Sequence, residues 1–340
     1  MSPVPHNVPR SFYSFSQLVL NTCPLGFPQL TRRTKIAYFE VEILDAHTRK
    51  QVQVIDKVHP SSTVLDLKNR FHKASGPQWY PSRTGLRVDR NGPFLKDSCI
   101  IHTIASSSLV TLYFTDLGRQ VSWSTVFLTQ YFGPLLIYLM FYFRLSGVYG
   151  ETKSNRHLAV NLACFCHSLH YIRHLLETLF VHKFSEGYTP LQNMLKGCAF
   201  YWGFTAWLGY YVNHPLYTPP YFANKQLIPS TLCFLFCEAG NLCINIVLAQ
   251  HNQAGNKSHF PRSTSNPFTW LFKLVHCPQY TYEIGAWLSL AVMTQTVPVA
   301  VFAIMVSIQM MLWAKKTHNK YLKQMKNSSC QRMAVIPFIL

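Results

Sequence analysis

The residues best suited to chemistry lie near the carboxyl end of the chain, in the stretch NPFTWLFKLVHCPQYTYEIGAW (266–287). Tyr280, Glu283 and Trp287 are spaced i, i+3 and i+7, so a helix that begins at the preceding proline places all three on one face. Such a face presents a phenolic proton and a carboxylate to a bound ligand. No charged residue follows Glu283 as far as Ala314, so this carboxylate lies at or inside a membrane boundary, where it is costly unless paired or functional. The alternative is an interfacial glutamate within an aromatic belt, and the residues alone do not decide between the two.

Two further groups of polar residues interrupt apolar segments at helical spacing. The first group contains His167, His170, Tyr171, His174 and Glu177, with Arg173 beside them. The second group contains Glu238, Asn241 and Asn245. Because residues spaced by three or four share one face of a helix, each group forms a polar stripe. Ionisable groups inside a membrane usually face a cavity or a partner, so the two stripes are predicted to line a pocket within a helix bundle.

Three interpretations of this pocket compete. In a reductase cavity, a nicotinamide cofactor delivers hydride, a tyrosine supplies the proton, and lysine or arginine binds phosphates. In a diiron oxidation site, the run HSLHYIRH supplies histidine ligands, but there is no HxxHH and the other histidines are isolated, so no metal site is predicted. In a purely structural interpretation, the polar groups bond to one another and hold the helices together.

The charge of the chain is strongly basic. Lys and Arg number 31 against 13 for Asp and Glu, a formal net charge of +18. The basic residues lie mainly in the amino-terminal third and the last thirty residues, flanking apolar spans, and no nucleic-acid-binding module is recognisable. Anionic headgroups or a phosphate-bearing cofactor are therefore the expected partners, and nucleic acid is not. The ten cysteines lie mostly in apolar runs without a CxxC pair, which argues against a zinc site.

The amino-terminal third predicts a leader followed by a small soluble domain. Residues 1–35 are expected to form a disordered leader, and residues 36–117 a ubiquitin-like β-grasp domain. The predicted elements are strands at 37–44 and 51–58, a helix at 64–74, and strands at 86–88 and 109–114. The alternative is another small α+β fold with the same order of elements. No catalytic constellation occurs there, so a docking or positioning role is expected.

The remainder predicts an α-helical multi-pass membrane protein with about six transmembrane helices. The predicted spans are 121–143, 157–182, 197–212, 226–249 and two passes within 266–314, divided near Pro298. One pass plus a re-entrant segment is the alternative for 266–314. The glycines Gly203, Gly209 and Gly240 are predicted to permit close helix packing. Residues 121–314 would form the membrane domain and 315–340 a basic tail that completes the cofactor site. The excess of Lys and Arg in that tail places both termini in the cytosol.

Five sequence segments carry a specific resemblance. They are HYIRHLLETLFVHKFS (170–185), YYVNHPLYTPP (210–220), NPFTW (266–270), CPQYTYEIGAW (277–287) and IPFIL (336–340). Together they resemble the very-long-chain trans-2,3-enoyl-CoA reductases of the steroid 5-alpha reductase family. The resemblance covers nearly everything from Tyr38 to Leu340, and it is closest to a paralogous group with a longer amino-terminal leader.

This resemblance implies an enzyme of the endoplasmic reticulum membrane that reduces a long-chain trans-2-enoyl-CoA with NADPH in fatty acid elongation. Hydride would reach the β-carbon, and the thioester enolate would be protonated at the α-carbon. Tyr280 matches the tyrosine proposed as proton donor, and Arg173 lies in the basic stretch expected near the thioester oxygen. Tyr171 matches the tyrosine that polarises the carbonyl in steroid reductases. Membrane lipid and other elongation enzymes are further implied partners.

The resemblance also implies a set of cofactor-binding residues and shows departures from the family. The implied residues are Asn241, Asn245, Gln279, Glu283, His318, Tyr321 and Arg332. The arginines that the family carries after Asn241 are absent from 245–252, Ser265 stands where a basic residue is common, and Gln279 replaces an asparagine. Each lost charge-assisted phosphate contact weakens binding by roughly 1.5–3 kcal/mol. Two expectations follow: an active reductase, or a catalytically weak paralogue that binds lipid or elongation-complex partners as a regulator.

Overall fold

The computed structural model describes residues 38–76, 78–105, 107–150, 155–182, 187–253, 261, 263–324 and 333–335. The predicted leader, Arg332 and the IPFIL segment lie outside these residues. The chain divides into two compact units. The first comprises the chain up to Gln78 together with Leu86–Phe114, and the second comprises Trp79–Gly85 together with the chain from Thr115 onward.

The smaller unit is built on a four-stranded sheet and one helix. The strands are β1 (Phe39–Asp45), β2 (Gln51–Val58), β3 (Thr84–Arg87) and β4 (Leu109–Asp116), and the helix is α1 (Val64–Ser75). The strand order is β2-β1-β4-β3, with β1 antiparallel to β2 and parallel to β4. Alternating residues of the strands and one stripe of the helix are fully buried, because they form the core between sheet and helix. The predicted ubiquitin-like arrangement is confirmed.

The start of α1 is fixed by a capping box. The Thr63 hydroxyl accepts a hydrogen bond from the Asp66 amide at 3.2 Å, and the Asp66 carboxylate accepts from the Thr63 amide at 2.8 Å. These reciprocal bonds satisfy amide groups that a helix start leaves without partners. Hydrogen bonds from the Thr63 amide and then from the Thr63 hydroxyl hold the pKa of Asp66 below its ordinary value.

The larger unit is predominantly helical. Its principal helices are α2 (Trp123–Tyr142), α3 (Leu158–Leu176), α4 (Leu191–Asn213), α5 (Asn224–Gln253), α6 (Pro278–Thr294) and α7 (Val297–Gln324). Among the described residues, Trp123–Tyr142, Asn224–Asn252 and Val297–Asn319 are long and apolar enough to cross a membrane. The multi-pass helical class is therefore confirmed, while six passes remains a prediction.

The long apolar tract near the carboxyl end is broken twice. It begins with a 3-10 helix at Pro267–Lys273 and continues as α6 and α7. Between these two helices Gln295 adopts a left-handed conformation with φ of 46°, which ends α6. The chain then starts α7 next to Pro298, where the sequence predicted a division into two segments.

Glycines set the closest approaches between helices. A Cβ at Gly240 on α5 would lie 2.5 Å from Cε1 of Tyr282 on α6, and a Cβ at Gly209 would lie 3.1 Å from Cδ2 of Phe141. Both glycines therefore serve close packing, as predicted. The prediction for Gly203 is wrong, because a Cβ there would meet no described atom within 4 Å. Sequence reasoning also missed Gly133, which packs directly against the indole of Trp202.

Replacing Gly240 tests the contact that holds α5 against α6. We expect Gly240→Ala to destabilise the protein by about 1–3 kcal/mol, because the Tyr282 ring must move and its hydroxyl is tied to the Phe268 carbonyl at 3.1 Å. Gly203→Ala is the matched control and should be neutral or stabilising by up to about 1 kcal/mol, since alanine favours a helix. Thermal unfolding midpoints in detergent measure both changes. A Gly240→Ala midpoint at or above that of Gly203→Ala would contradict the packing argument.

Candidate functional site

The site is centred on α3, which contacts both α5 and α6. At its carboxyl end α3 continues as a π-helical turn, Glu177–Val181. Such turns are rare in proteins, and those that occur are often found at functional sites. This turn begins at Glu177, which lies one helical turn after Arg173 and is buried with it.

Arg173 joins three carboxylates that come from three different segments. Its Nε donates to Oε2 of Glu238 at 2.5 Å, and its Nη1 donates to Oε1 of Glu177 at 2.7 Å. Its Nη2 donates to Oε2 of Glu283 at 3.4 Å, and Nη1 also reaches Oδ1 of Asn241 at 3.3 Å. The planar fork of arginine suits this multiple pairing, which a lysine ammonium would not reproduce.

Two histidines complete the ionic contacts. Nδ1 of His170 lies 2.8 Å from Oε1 of Glu238, and its Nε2 lies 3.3 Å from Oε1 of Glu283. Nδ1 of His174 lies 3.3 Å from Oε2 of Glu177, and its Nε2 lies 3.4 Å from Oε1 of Glu283. Each imidazole therefore bridges two carboxylates.

Asparagine and tryptophan side chains satisfy the remaining acceptors. Nδ2 of Asn241 donates to Oε2 of Glu283 at 2.6 Å, and Nδ2 of Asn245 donates to Oδ1 of Asn241 at 2.7 Å and to Oε2 of Glu177 at 3.2 Å. Nε1 of Trp287 donates to Oε1 of Glu283 at 3.4 Å. We call the whole set the Arg173 cluster: His170, Arg173, His174, Glu177, Glu238, Asn241, Asn245, Glu283 and Trp287. The two polar stripes predicted from the sequence thus meet face to face.

The charges of the Arg173 cluster balance only if its histidines take part. One guanidinium faces three carboxylates, so the cluster carries two excess negative charges when both imidazoles are neutral and none when both are protonated. Removing charges from water is costly unless they are paired and hydrogen-bonded. Hydrogen bonds from the asparagines and the indole therefore supplement the guanidinium in stabilising Glu177 and Glu283.

A metal ion is disfavoured by the same geometry. His170, His174 and Glu283 have possible ligand atoms within 4.8 Å of one another. The guanidinium of Arg173 already contacts Glu283 and is a permanent positive charge beside this group. Because a divalent cation would be repelled by that charge, the arrangement favours ion pairing over metal binding.

Tyr171 lies beside the Arg173 cluster without joining it. Its ring is 5.1 Å from that of His170 and 6.4 Å from that of Trp287 between centroids. The side chain is 1% exposed, and its hydroxyl lies near that of Thr205 but outside hydrogen-bond geometry among the described residues. A phenolic proton is therefore held inside the bundle without being committed to a protein acceptor.

Tyr280 and His318 lie in a second group near the carboxyl end. Tyr280 packs against an apolar cluster formed by Cys277, Ile284, Ala314, Ala334 and Val335. Nδ1 of His318 lies 3.0 Å from Nδ1 of His276, and the His276 amide donates to the Met333 carbonyl at 2.9 Å. Glu283 and Trp287 thus belong to the Arg173 cluster, while the Tyr280 ring packs beside the carboxyl-terminal segment.

The structure describes the remaining predicted site residues to different extents. The Gln279 backbone carbonyl accepts a hydrogen bond from Nδ2 of Asn241 at 3.2 Å, while its side-chain Oε1 is buried and unpartnered within the described residues. Tyr321 belongs to α7, but its side chain lies outside the description, as does all of Arg332. Sequence reasoning assigns His170, His174, Glu177 and Glu238 to the polar stripes but not to the site, because helical spacing does not tell which acceptor each donor meets.

Fold and site together define the class of protein: a multi-pass helical membrane protein with an amino-terminal ubiquitin-like domain and an ionic network buried among its helices. A family model described as the TECR ubiquitin-like domain matches residues 39–116, and one described as 3-oxo-5-alpha-steroid 4-dehydrogenase matches residues 187–340.

Individual relatives identify the family. The chain is 56% identical over 334 residues to trans-2,3-enoyl-CoA reductase-like of Homo sapiens, covering 97% of this chain and 92% of the relative. It is 56% identical over 337 residues to the Mus musculus protein of that name, covering 98% and 93%. It is 36% identical over 311 residues to the very-long-chain enoyl-CoA reductase of Dictyostelium discoideum, covering 88% and 99%. The chain belongs to the enoyl-CoA reductase group of the steroid 5-alpha reductase family.

Removing the guanidinium tests the ionic network. We expect Arg173→Met to destabilise the protein by about 3–5 kcal/mol, because it leaves three buried carboxylates without their permanent cation. The melting midpoint in detergent reports the loss. Arg156→Met is the matched control, since Arg156 is exposed and stacks on the Tyr142 ring, a contact that contributes about 0.5–1 kcal/mol.

A second variant separates pairing from packing. Glu238→Gln removes one carboxylate that faces Arg173, and in combination with Arg173→Met it should cost less than the sum of the two single changes. The ionic network would not provide the stability assigned to it if the effects of the two changes were simply additive. The same conclusion would follow if Arg173→Met and Arg156→Met had the same melting midpoint.

Proposed function

We propose that the protein is an NADPH-dependent reductase of the 2,3 double bond of long-chain trans-2-enoyl-CoA. The observation that carries the proposal is a buried tyrosine hydroxyl, that of Tyr171, lying uncommitted beside the Arg173 cluster in a family whose named members include very-long-chain enoyl-CoA reductases. Such a reduction requires a hydride, a proton and a site that excludes water.

The residues around Asn241 have the chemistry that a nicotinamide requires. Its carboxamide needs both donors and acceptors. The amide groups of Asn241 are already bonded within the Arg173 cluster, so the Gln279 side chain, which has both kinds of group, would face the carboxamide. The buried Oε1 of Gln279 is an acceptor without a partner among the described residues, as expected of a group that meets a ligand amide. The exposed Lys315 and Lys316 on α7 would hold the phosphates, because ammonium groups bind them as point charges. When bound, the reduced nicotinamide supplies the hydride.

Within this proposal the residues of the chain hold the substrate and move the proton. Tyr171 donates its phenolic proton at the α-carbon of the reduced thioester, and burial keeps competing water away from it. Arg173 acts differently from the expectation of direct contact with the thioester oxygen. Its guanidinium is held by Glu177, Glu238 and Glu283, so we assign it to positioning Glu283 and the asparagines. Tyr280 is the second candidate for the proton donor.

Turnover with paired tyrosine variants tests the assignment. Purified protein in detergent is given NADPH and a long-chain trans-2-enoyl-CoA, and NADPH oxidation that depends on the acyl substrate is measured. We expect Tyr171→Phe to lower kcat by about 10²–10⁴-fold, the usual contribution of general acid catalysis, and Tyr280→Phe to have the smaller effect. The reverse ranking would move the donor role to Tyr280. No oxidation by the wild-type protein, under conditions where a relative turns over, would refute the reductase.

A regulator without turnover is the second candidate. Two observations favour it: the stretch 245–252 carries no arginine, and the Arg173 guanidinium is fully engaged by protein acceptors. Such a paralogue would bind lipid or elongation enzymes through its helices or its ubiquitin-like domain and would not retain the cofactor.

Titration with NADPH discriminates between the two candidates. For a reductase we expect a dissociation constant on the order of 1–100 μM, because the uncharged stretch 245–252 removes phosphate contacts while the carboxamide set remains. Quenching of tryptophan fluorescence or calorimetry measures the affinity. Gln279→Leu is the matched variant, since it removes the unpartnered acceptor and should weaken binding about tenfold or more. Absence of detectable binding by the wild-type protein would favour the regulator.

The cellular setting belongs to the same proposal. We propose that the protein lies in the endoplasmic reticulum membrane, as its resemblance to the family implies. Both termini would lie in the cytosol, because basic residues flank the apolar spans and predominate in the carboxyl-terminal tail. Long-chain enoyl-CoA, membrane lipid and other elongation enzymes are its proposed partners.

A further inference from the structure

The proposed reduction has one chemical requirement that the Arg173 cluster does not meet. When hydride reaches the β-carbon of an enoyl thioester, negative charge develops on the thioester oxygen, and a hydrogen-bond donor aimed at that oxygen stabilises the transition state. Arg173 is the donor that the sequence predicts, but its guanidinium is held by Glu177, Glu238 and Glu283. A different donor must therefore face the oxygen.

The other donors of the Arg173 cluster are also committed. Nδ2 of Asn241, Nδ2 of Asn245 and Nε1 of Trp287 all donate to carboxylates. The imidazoles of His170 and His174 each lie between two carboxylates. Hydroxyl groups beside the cluster, and not its own members, are therefore the candidates for this contact.

Tyr201 on α4 carries such a hydroxyl. Its side chain is half-buried, and the hydroxyl makes no hydrogen bond within the described part of the chain. It lies within electrostatic range of both Glu283 and Tyr171. Tyr201 also lies one helical turn before Thr205, whose hydroxyl is near that of Tyr171. Because residues four apart share one face of a helix, Tyr201 is directed toward the same region as the proposed proton donor.

Aromatic contacts fix the position of the Tyr201 ring. Between centroids, the ring lies 5.2 Å from that of Phe200 and 6.5 Å from that of Phe302, both in edge-to-face geometry. Phe302 in turn lies 4.6 Å from Trp287, and Trp287 lies 6.4 Å from Tyr171. The rings of Tyr201 and Tyr171 therefore belong to one packed set that holds the two phenols in a defined arrangement.

Open apolar space lies next to Tyr201 on the same helix. A groove of about 250 Å³ is lined by Ala199, Phe200, Gly203, Phe204 and Trp207. Gly203 leaves part of this space, because a Cβ there would meet no described atom within 4 Å. The lining is apolar and includes the ring that packs against Tyr201, so a thioester held at Tyr201 has room nearby for a hydrocarbon chain.

We propose that Tyr201 is a catalytic residue that donates a hydrogen bond to the thioester oxygen of the enoyl substrate; this inference rests on the proposed reductase function. The hydride pair forms the new C–H bond at the β-carbon, and the π electrons shift through the α-carbon onto the thioester oxygen. They return as the Tyr171 proton forms the C–H bond at the α-carbon, and Tyr171 regains a proton from solvent after the product has left. Tyr201 keeps its proton throughout, because it stabilises charge and does not transfer it.

A pair of substrate analogues tests the contact without requiring turnover. One ligand is a long-chain acyl-CoA thioester, and the other is the matching thioether, in which a methylene group replaces the carbonyl. We expect the wild-type protein in detergent to bind the thioester about three- to tenfold more tightly, and Tyr201→Phe to bind the two equally, because one hydrogen bond has been lost.

The matched control for this comparison is Tyr210→Phe. Tyr210 lies on the same helix, is 38% exposed, and stacks on Tyr149. This variant should keep the wild-type preference for the thioester. A Tyr201→Phe protein that also keeps the preference would overturn the contact, as would a wild-type protein that binds both ligands equally.

Turnover distinguishes a catalytic role from a structural one. We expect Tyr201→Phe to lower kcat by about 10²–10³-fold, the usual loss for one oxyanion donor, with the melting midpoint and the NADPH dissociation constant unchanged. Tyr210→Phe should keep the wild-type kcat. Wild-type turnover by Tyr201→Phe would overturn the catalytic role. A wild-type protein that prefers the thioester but does not reduce an enoyl-CoA would refute the reductase and the catalytic role together, while the analogue comparison would still decide whether Tyr201 holds the thioester.

Discussion

The pairing of one guanidinium with three carboxylates is the constraint on which the larger unit depends. Glu177, Glu238 and Glu283 come from the π-turn after α3, from α5 and from α6, and each is too costly to bury without a cation. Arg173 can meet them together only when these three segments are correctly aligned. The ionic contacts therefore fix the relative positions of the helices that carry the asparagines and the aromatic residues of the site.

The packing of small residues makes this alignment possible. Gly240 lets α5 approach the Tyr282 ring of α6, and the next residue, Asn241, donates a hydrogen bond to Glu283. In a lipid environment the hydrophobic effect does not drive helices together, because the acyl chains are as apolar as the helix surfaces. Helix association therefore relies on close van der Waals packing and on interhelical hydrogen bonds. The two kinds of contact occur here within one helical turn of each other, so the glycine and the ionic network support the same interface.

The interior contains two polar regions with different chemistry. The Arg173 cluster is internally satisfied and charged, which suits it to holding a fixed geometry. On the other side of Tyr171, both ring nitrogens of the buried His167 lack a hydrogen-bond partner among the described residues. Tyr171 lies at the junction, with its ring against both His170 and His167. The assignment of proton donor therefore rests on the position of this hydroxyl, not on the aromatic residue type, which Tyr280 shares.

The sequence by itself determined the elements, the apolar spans and the two polar stripes, because helical and strand periodicity are local properties. Motifs such as HYIRHLLETLFVHKFS also predicted the family, which the comparisons confirmed. Only the tertiary structure decided that Arg173 bonds to Glu177, Glu238 and Glu283, that Tyr280 packs beside the carboxyl-terminal segment, and that Gly203 is not a packing contact. Helical spacing states which side chains share a face, but the partner of each face depends on how distant helices cross.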